Sequence, residues 1–362
     1  MTVLLMVGTT KGAFLFRGDG QRFQSSGPLL TGSSVPSLAF DGRNGRCRVL
    51  AGASNFFFGT SVLRSDDLGA TWSEPVEGGN IKFPEGTDAA LRQVWQLCPA
   101  TEAEPDVVYA GVEPAALFRS EDAGLTFSLV PGLWEHPHRA TWFPGAGGLG
   151  LHTILPDPND SRRMLVAIST GGVYRTDDAG ATWRPSNSGI RADFLPDEQR
   201  YPEYGQCVHK VTRDAADTRT LYLQNHGGLY RSDDDGQQWQ DIANGVPSDF
   251  GFPVVAHPTR GGTAYVIPLE AMGRWTPEGH SRVYRTSDRG RSWEALSTGL
   301  PQEGAYHTVL RDAFCADLGE GGGLYFGTRG GEVYGSVDDG DTWQLLVDHL
   351  PPVLCVRAQS LA

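Results

Sequence analysis

The chain has 362 residues, 43 of them acidic and 30 Lys or Arg, for a formal net charge of −13. That balance excludes a nucleic-acid footprint or docking on an anionic membrane, since both need a basic stripe, and no stretch is long and apolar enough to span a bilayer. The 47 Gly and 23 Pro fit an all-β body with many tight turns rather than disorder.

In chain order, residues 3–8 and 12–16 predict two strands. Arg17 to Phe23 then carries a degenerate copy of a turn that recurs six more times. The cleanest copy, Ser65 to Trp72, has the pattern Ser/Thr-x-Asp-x-Gly-x-Thr/Ser-Trp. Thr176 to Trp183 matches it, and Ser120 to Phe127, Ser232 to Trp239, Thr286 to Trp293 and Ser336 to Trp343 keep its Asp and Gly. In each, Asp is expected to accept from nearby backbone N–H groups and Gly to supply a positive φ, while the aromatic residue opens the next strand. From Phe23 the closing aromatics fall at 72, 127, 183, 239, 293 and 343, spacings of 49, 55, 56, 56, 54 and 50. A period of this size means a solenoid, propeller or array.

Each unit also carries other extended runs, as at 151–155, 164–168 and 172–176, followed by the turn and 181–184. Four short strands per repeat predict a propeller blade. The C-terminal run 353–357 reads as an innermost strand with nothing after it, and the N-terminal runs as second and third strands with no first. Joined, they make one blade and hide two sheet edges. The expectation is a seven-bladed β-propeller of four-stranded antiparallel blades, a single domain over 1–362. Blade 1 combines 1–28 with 351–362, and blades 2 to 7 cover about 34–76, 92–131, 149–187, 206–245, 251–297 and 305–348. The five Cys, at 47, 98, 207, 315 and 355, form no CxxC and suit reduced thiols. With a first segment that lacks a basic region and a cleavage site, they predict a cytoplasmic protein.

Up-and-down strand order puts the Asp turns on one face. The long connections between blades, and the turns between second and third strands, fall on the other. Three connections, 74–92, 129–149 and 185–206, are long and rich in aromatic or charged residues, and an insertion at 270–280 lies on the same face. Aligning the expected innermost strands places His152, His209 and His307 at one register, with Trp95 in blade 3 and His226 at a turn beside them. Imidazoles converging on one axis suit Zn, Cu or Fe, so His152, His209, His226 and His307 are candidate metal ligands. His152 and His209 could instead act as acid or base. Glu113, Glu203 and Glu270 are the carboxylate candidates for that role, and Arg139 and Arg329 the anion holders. Lys11, Asn55 and Asn225 sit at turns facing the same mouth, which Trp95 also rings, and Tyr201, Tyr204, Trp134 and Trp142 offer stacking walls.

The repeated turn resembles the Asp box of the BNR-repeat propellers, a superfamily that includes sialidases, other glycoside hydrolases, sortilin-type receptors and photosystem assembly factors. Segments 111–115, 147–154, 206–210, 224–226, 248–252 and 309–312 are similar to bacterial sialidase-like or WD40/YVTN/BNR-like proteins. The resemblance covers essentially the whole chain and implies the fold rather than an activity. A sialidase of this type would have an Arg-Ile-Pro segment before its first box, a three-Arg clamp, a Tyr/Glu nucleophile pair and six blades. Here residues 8–12 read Gly-Thr-Thr-Lys-Gly and seven blades are counted. Two readings follow. One is a hydrolase-like enzyme, metal-dependent or glycosidase-like, acting on a small polar or saccharide-like ligand in the funnel. The other is an interaction or assembly scaffold that grips a protein partner with the long loops.

Overall fold

The period closes into a ring of seven antiparallel sheets. The computed structural model describes residues 2–75, 79–317 and 322–361; Met1, Ala362, the predicted boundary at residue 76 and part of the 74–92 connection lie outside the described residues. Blade 1 contributes β1 (Thr2–Thr9), β2 (Gly12–Gly18) and β3 (Phe23–Leu29), and blade 2 contributes β4 (Ser33–Asp41), β5 (Arg48–Asn55) and β6 (Gly59–Ser65). Blade 3 has β7 (Gln93–Pro99), β8 (Val108–Glu113), β9 (Ala116–Ser120) and β10 (Ser128–Leu129). Blade 4 has β11 (Leu151–Asp157), β12 (Asp160–Ile168), β13 (Gly172–Thr176) and β14 (Arg184–Pro185). Blade 5 has β15 (Val208–Arg213), β16 (Leu221–Asn225), β17 (Leu229–Ser232) and β18 (Gln240–Asp241). Blade 6 has β19 (Gly251–Ala256), β20 (Ala264–Pro268), β21 (Val283–Thr286) and β22 (Glu294–Leu296). Blade 7 has β23 (Phe314–Ala316), β24 (Leu324–Gly327), β25 (Val333–Ser336) and β26 (Gln344–Val347), and β27 (Val353–Leu361) ends the chain.

The predicted joint forms. β27 pairs antiparallel with β1, from Thr2 opposite Leu361 to Thr9 opposite Val353, giving blade 1 the order β27-β1-β2-β3. Blade 2 departs from the four-strand expectation: its sheet is β4-β5-β6, and the chain after its box touches it through Ser73 N–H donating to Arg64 O at 2.8 Å.

The core lies between blades. One cluster joins Leu165, Ala167 and Val173 of blade 4 to Val208, Leu221, Leu223 and Trp239 of blade 5. Another joins Tyr222 and Ile242 of blade 5 to Val254, Val266 and Tyr284 of blade 6. Each blade therefore buries both faces. This is why β16 and the C-terminal half of β12 are buried at every residue, and why they read as apolar runs rather than alternating patterns.

The Asp boxes are self-contained turns. In the first full copy, Ser65 Oγ lies 2.8 Å from Asp67 Oδ1 and accepts from Gly69 N–H at 2.7 Å. Asp67 in turn accepts from Thr71 N–H and Thr71 Oγ1 at 2.8 and 2.7 Å. The residue before the Gly is left-handed as well, with φ of 59° at Leu68, 60° at Ala179 and 62° at Arg289. In blades 5 and 6 the closing aromatic does more than open a strand, because its ring N–H ties its blade to the previous one. Trp239 Nε1 donates to Ser186 O and Trp293 Nε1 to Ile242 O, both at 2.8 Å.

These hydrogen bonds hold the box carboxylates in the charged form. Asp67, Asp178 and Asp288 are drawn down to about 2, chiefly by the Thr71 N–H, the Thr182 hydroxyl and the Ser292 hydroxyl respectively. A depressed folded pKa means that the stabilisation is fully present above the unfolded value of 3.8 and is lost as pH falls through about 2. Asp178→Asn should therefore melt below the wild type at pH 7, with the gap closing as pH is lowered toward 2 in a melting series. A gap that stays constant across the series would contradict the assignment.

Candidate functional site

The innermost strands of blades 2 to 6 each begin with a register shift on the face opposite the boxes. The shift lies between Ser34 and Ser37 in blade 2, Val94 and Gln96 in blade 3, Leu151 and Thr153 in blade 4, Val208 and Lys210 in blade 5, and Gly251 and Val254 in blade 6. The extra residue of a β-bulge re-aims a side chain. Here Trp95, His152 and His209 occupy those positions, as the alignment of the strands predicts.

His307 does not share that position. Residues 301–310 form no strand, and the innermost strand of blade 7 is β23, paired Phe314 to Phe326. The 305–310 run resembles 150–155 in sequence, but its backbone bonds go elsewhere. Thr276 N–H donates to His307 O at 3.0 Å and Arg329 N–H to Thr308 O at 2.9 Å, so the run is clamped between the blade 6 insertion and a blade 7 turn. His307 packs near Tyr334, 5.8 Å between ring centroids, and its buried Nδ1 has no hydrogen-bond partner among the described residues.

His152 is fully buried and both its nitrogens are engaged, Nε2 with Val208 O at 2.9 Å and Nδ1 with Thr153 Oγ1 at 3.1 Å. Burial pushes its pKa well below the usual value. It bonds the innermost strand of blade 4 to that of blade 5. His209 repeats the link one blade on, with Nδ1 2.6 Å from Gly251 O. A carbonyl oxygen only accepts, so Nδ1 carries the proton and Nε2 is the free lone pair. That nitrogen faces Cys207 Sγ at 3.8 Å. Burial, and next the Arg311 charge, hold His209 at about 3.

His226 stands at the β16–β17 turn, where its backbone N–H donates to Cys207 O at 2.9 Å. Donor atoms of Cys207, His209 and His226 all lie within 4.8 Å of one another, a group that could hold a metal ion. Two of the four predicted ligands are thus brought together. Cys207, two residues before His209 and just ahead of β15, takes the place of the other two.

The three donors open into a cavity of ≈ 360 Å³ whose walls include Phe143, Phe194, Phe250 and Phe252, with Arg274 and Arg311 beside them. A second lobe of ≈ 230 Å³ is lined by Trp95, Pro36 and Leu354 and shares Gly147, Phe252, Arg274 and Arg311 with the first. Glu113 borders this funnel. Its Oε2 accepts from Trp95 Nε1 at 3.1 Å, and a Cβ on Gly148, whose φ is +89°, would come within 2.6 Å of the carboxylate. Glycine there lets the 145–150 loop close over Glu113.

Most of the other predicted contacts serve the loops. Arg139 stacks over Trp134 with its guanidinium carbon 3.2 Å from the ring centroid. Trp142 is buried with Nε1 donating to Tyr174 OH at 3.2 Å, and Tyr204 stacks on His138 at 3.7 Å. Asn225 Nδ2 donates to Arg191 O at 2.9 Å and Asn55 Nδ2 to Ser33 Oγ at 3.3 Å. Glu203 lines an outer groove with Arg175 and Arg184. Glu270, Lys11 and Arg329 are exposed at their turns. A broader groove of ≈ 540 Å³ lies between the boxes of blades 3 and 4, but its polar groups are already engaged: Arg119 pairs with Glu104 at 3.0 Å, and Asp122 accepts from Thr126 N–H at 2.9 Å.

No protein-family model matches the chain. Among curated proteins it is 24% identical over 284 residues to a xyloglucanase of Hypocrea jecorina, covering 69% of this chain and 30% of that protein. It is 22% identical over 298 residues to the xyloglucanase Xgh74A of Acetivibrio thermocellus, covering 73% and 32%. Among solved structures it superposes on an ancestral GH74 enzyme with a TM-score of 0.61, at 17% identity, over 88% of this chain and 39% of the other. For YCF48 bound to D1 peptide the TM-score is 0.56, at 15% identity, over 88% and 83%. The chain is distantly similar in sequence to xyloglucanases and shares the fold of a GH74 enzyme and of YCF48. It spans about 30% of the length of the curated relatives it matches.

In the wall of the second lobe, Asp312 is buried and bonds Lys210 Nζ at 2.8 Å and Arg357 Nη2 at 2.5 Å, joining blades 5, 7 and 1. The Lys210 and Arg357 charges hold its carboxyl well below the usual range against the opposing effect of burial. Removing the carboxylate leaves two buried cations without compensation. Asp312→Ala should cost about 3 to 5 kcal/mol, read as a lower urea midpoint, and a second change, Lys210→Met, should return part of that loss.

Proposed function

We propose that the funnel is the active site of a hydrolase-type enzyme that takes a small polar, saccharide-like ligand and uses a transition-metal ion, zinc for preference, held by Cys207, His209 and His226. The observation that carries this reading is the His209 tautomer. Its Nδ1–H is spent on Gly251 O at 2.6 Å, which aims the Nε2 lone pair at Cys207 Sγ; metal-bound imidazoles are commonly oriented by such a second bond. With Zn–S near 2.3 Å and Zn–N near 2.0–2.1 Å, a tetrahedral ion needs sulfur and nitrogen about 3.6 Å apart. The 3.8 Å found here requires little movement. One thiolate and two imidazoles form a borderline-soft set, and three protein ligands leave a fourth position for water or ligand. An ion there would supply Lewis acidity. Glu113, fixed by Trp95 at the rim, is the carboxylate placed to exchange a proton. Relatives named as xyloglucanases support a saccharide-like ligand.

A second reading has its own observation. Phe56, Phe57 and Phe58, at the β5–β6 turn, are 94%, 83% and 65% exposed, and Met272 is 98% exposed on the same face. Contiguous exposed apolar groups mark interaction surfaces, and YCF48 has been solved with a bound peptide. On this scaffold reading, changing all three Phe to Ser abolishes capture of a protein partner by cross-linking in cells and leaves metal content unaltered.

The enzyme reading is tested on the full chain carrying Cys47→Ser, which removes the exposed thiol. Anaerobic Co²⁺ titration of chelator-stripped protein should reach one equivalent, with a thiolate-to-cobalt charge-transfer band that Zn²⁺ displaces. Cys207→Ser should lose the band, and His226→Ala should weaken binding at least tenfold. Hydrolysis of a nitrophenyl glycoside panel should disappear with the metal. Absence of the band in the parent protein would overturn the reading.

A further inference from the structure

Arginines buried elsewhere in this protein have carboxylate partners. Arg43 bonds Asp41 at 2.7 Å, Arg48 bonds Asp66 at 2.7 Å, and Arg175 bonds Asp177 at 3.1 Å. Arg311, which is half-buried, and Arg274, which is exposed at the cavity, are different. Among the described residues neither forms an ion pair, although both line both lobes of the funnel. Arg311 Nη1 is buried with no hydrogen-bond partner, and its guanidinium carbon lies 4.8 Å from the centroid of the Trp95 ring. Of the nearby carboxylates, Asp312 uses Oδ1 for Lys210 and Arg357 while its Oδ2 is buried without a hydrogen-bond partner among the described residues, and Glu113 Oε2 accepts from Trp95; neither is bonded to Arg311 or Arg274. Burying a polar group of a cation without a partner costs stability, so the arrangement makes sense when something else supplies the acceptor.

The backbone that carries Arg274 is fixed on both sides. Arg274 N–H donates to Glu270 O at 2.6 Å, and Thr308 Oγ1 donates to Arg274 O at 2.7 Å. The blade 6 insertion thereby holds Arg274 at the wall of the cavity, which Gly147 also lines. The chain as a whole carries a net charge of −13. In the first lobe, whose described lining holds Arg274 and Arg311 and no carboxylate, these two cations are a local reversal of sign in an acidic body, and clefts of one sign concentrate ligands of the other.

We infer that Arg274 and Arg311 are the anion-recognising pair of the funnel, and that its ligand is a small molecule combining an oxyanion, carboxylate or phosphate, with a ring that lies against Trp95 and Phe252. Guanidinium groups present paired donors that match either oxyanion, and a ring face packs on an aromatic wall. The inference refines the saccharide-like ligand proposed above and rests on that reading of the funnel. The metal-binding donors are a separate group of residues.

The test is calorimetric titration of the full chain at low ionic strength with glucose, glucuronate and glucose 6-phosphate. At least one of the two acids should bind ten times more tightly than glucose, and which one it is distinguishes carboxylate from phosphate. Arg311→Gln and Arg274→Gln should each reduce that affinity tenfold or more. They should keep the cobalt charge-transfer band, and Arg311→Gln should melt at or above the parent temperature because no ion pair is lost. Equal affinity for glucose and both acids, an absence of binding by all three, or unaltered affinity in both variants would overturn the inference. If the cobalt band persists in that case, the metal reading survives; if the band is absent from the parent protein while the acids bind through the two arginines, the metal reading fails and the anion pair stands.

Discussion

Every other feature of this molecule depends on the pairing of β27 with β1. Eight strand positions, Thr2 through Thr9, find partners on the last strand of the chain, and the pairing removes the two edges an open array would expose. It also brings Arg357 to Asp312 and Cys355 beside Val35, so the ends of the chain bond to blades 7 and 2 at once. A blade buries its faces only against neighbours, and the ring gives every blade two of them.

Closure sets the chemistry of the mouth as well. Inner strands converge there, and a residue displaced by a bulge must either bond the adjacent strand or face the channel. His152 does the first and is consumed by the fold, with both nitrogens engaged. His209 divides itself, one nitrogen on the next blade's carbonyl and the other toward Cys207. Arg311, in the turn ahead of β23 rather than at a bulge, lines the funnel and keeps a buried nitrogen without a partner among the described residues. Similar positions on a repeated scaffold thus become structural or chemically available according to what the neighbouring strand offers.

Much of this was legible in the sequence, because Asp boxes at constant spacing place the blades and show which loops share a face. The register of Trp95, His152 and His209 follows from the same ruler. The blade 7 register does not, since residues 305–310 imitate the inner-strand sequence while their hydrogen bonds go to Thr276 and Arg329. Cys207 stood in plain view as Cys-x-His, but as a lone thiol without a CxxC it suited a buried, inert role. Arg274 lay within an insertion already marked as unusual, and nothing in its local sequence showed that it lacks an acceptor.

By itself the sequence determined the seven-bladed ring, its joint and the face that carries the long connections, because turn chemistry and strand pattern are local and recur at a fixed period. The tertiary structure alone decided which side chains meet at the mouth. Cys207, His209 and His226 come together across a strand and a turn, and Arg274 and Arg311 come from different blades. Whether a histidine is spent on a backbone carbonyl, or an arginine finds a carboxylate, depends on neighbours some fifty residues away in the chain, and only closure of the ring supplies them.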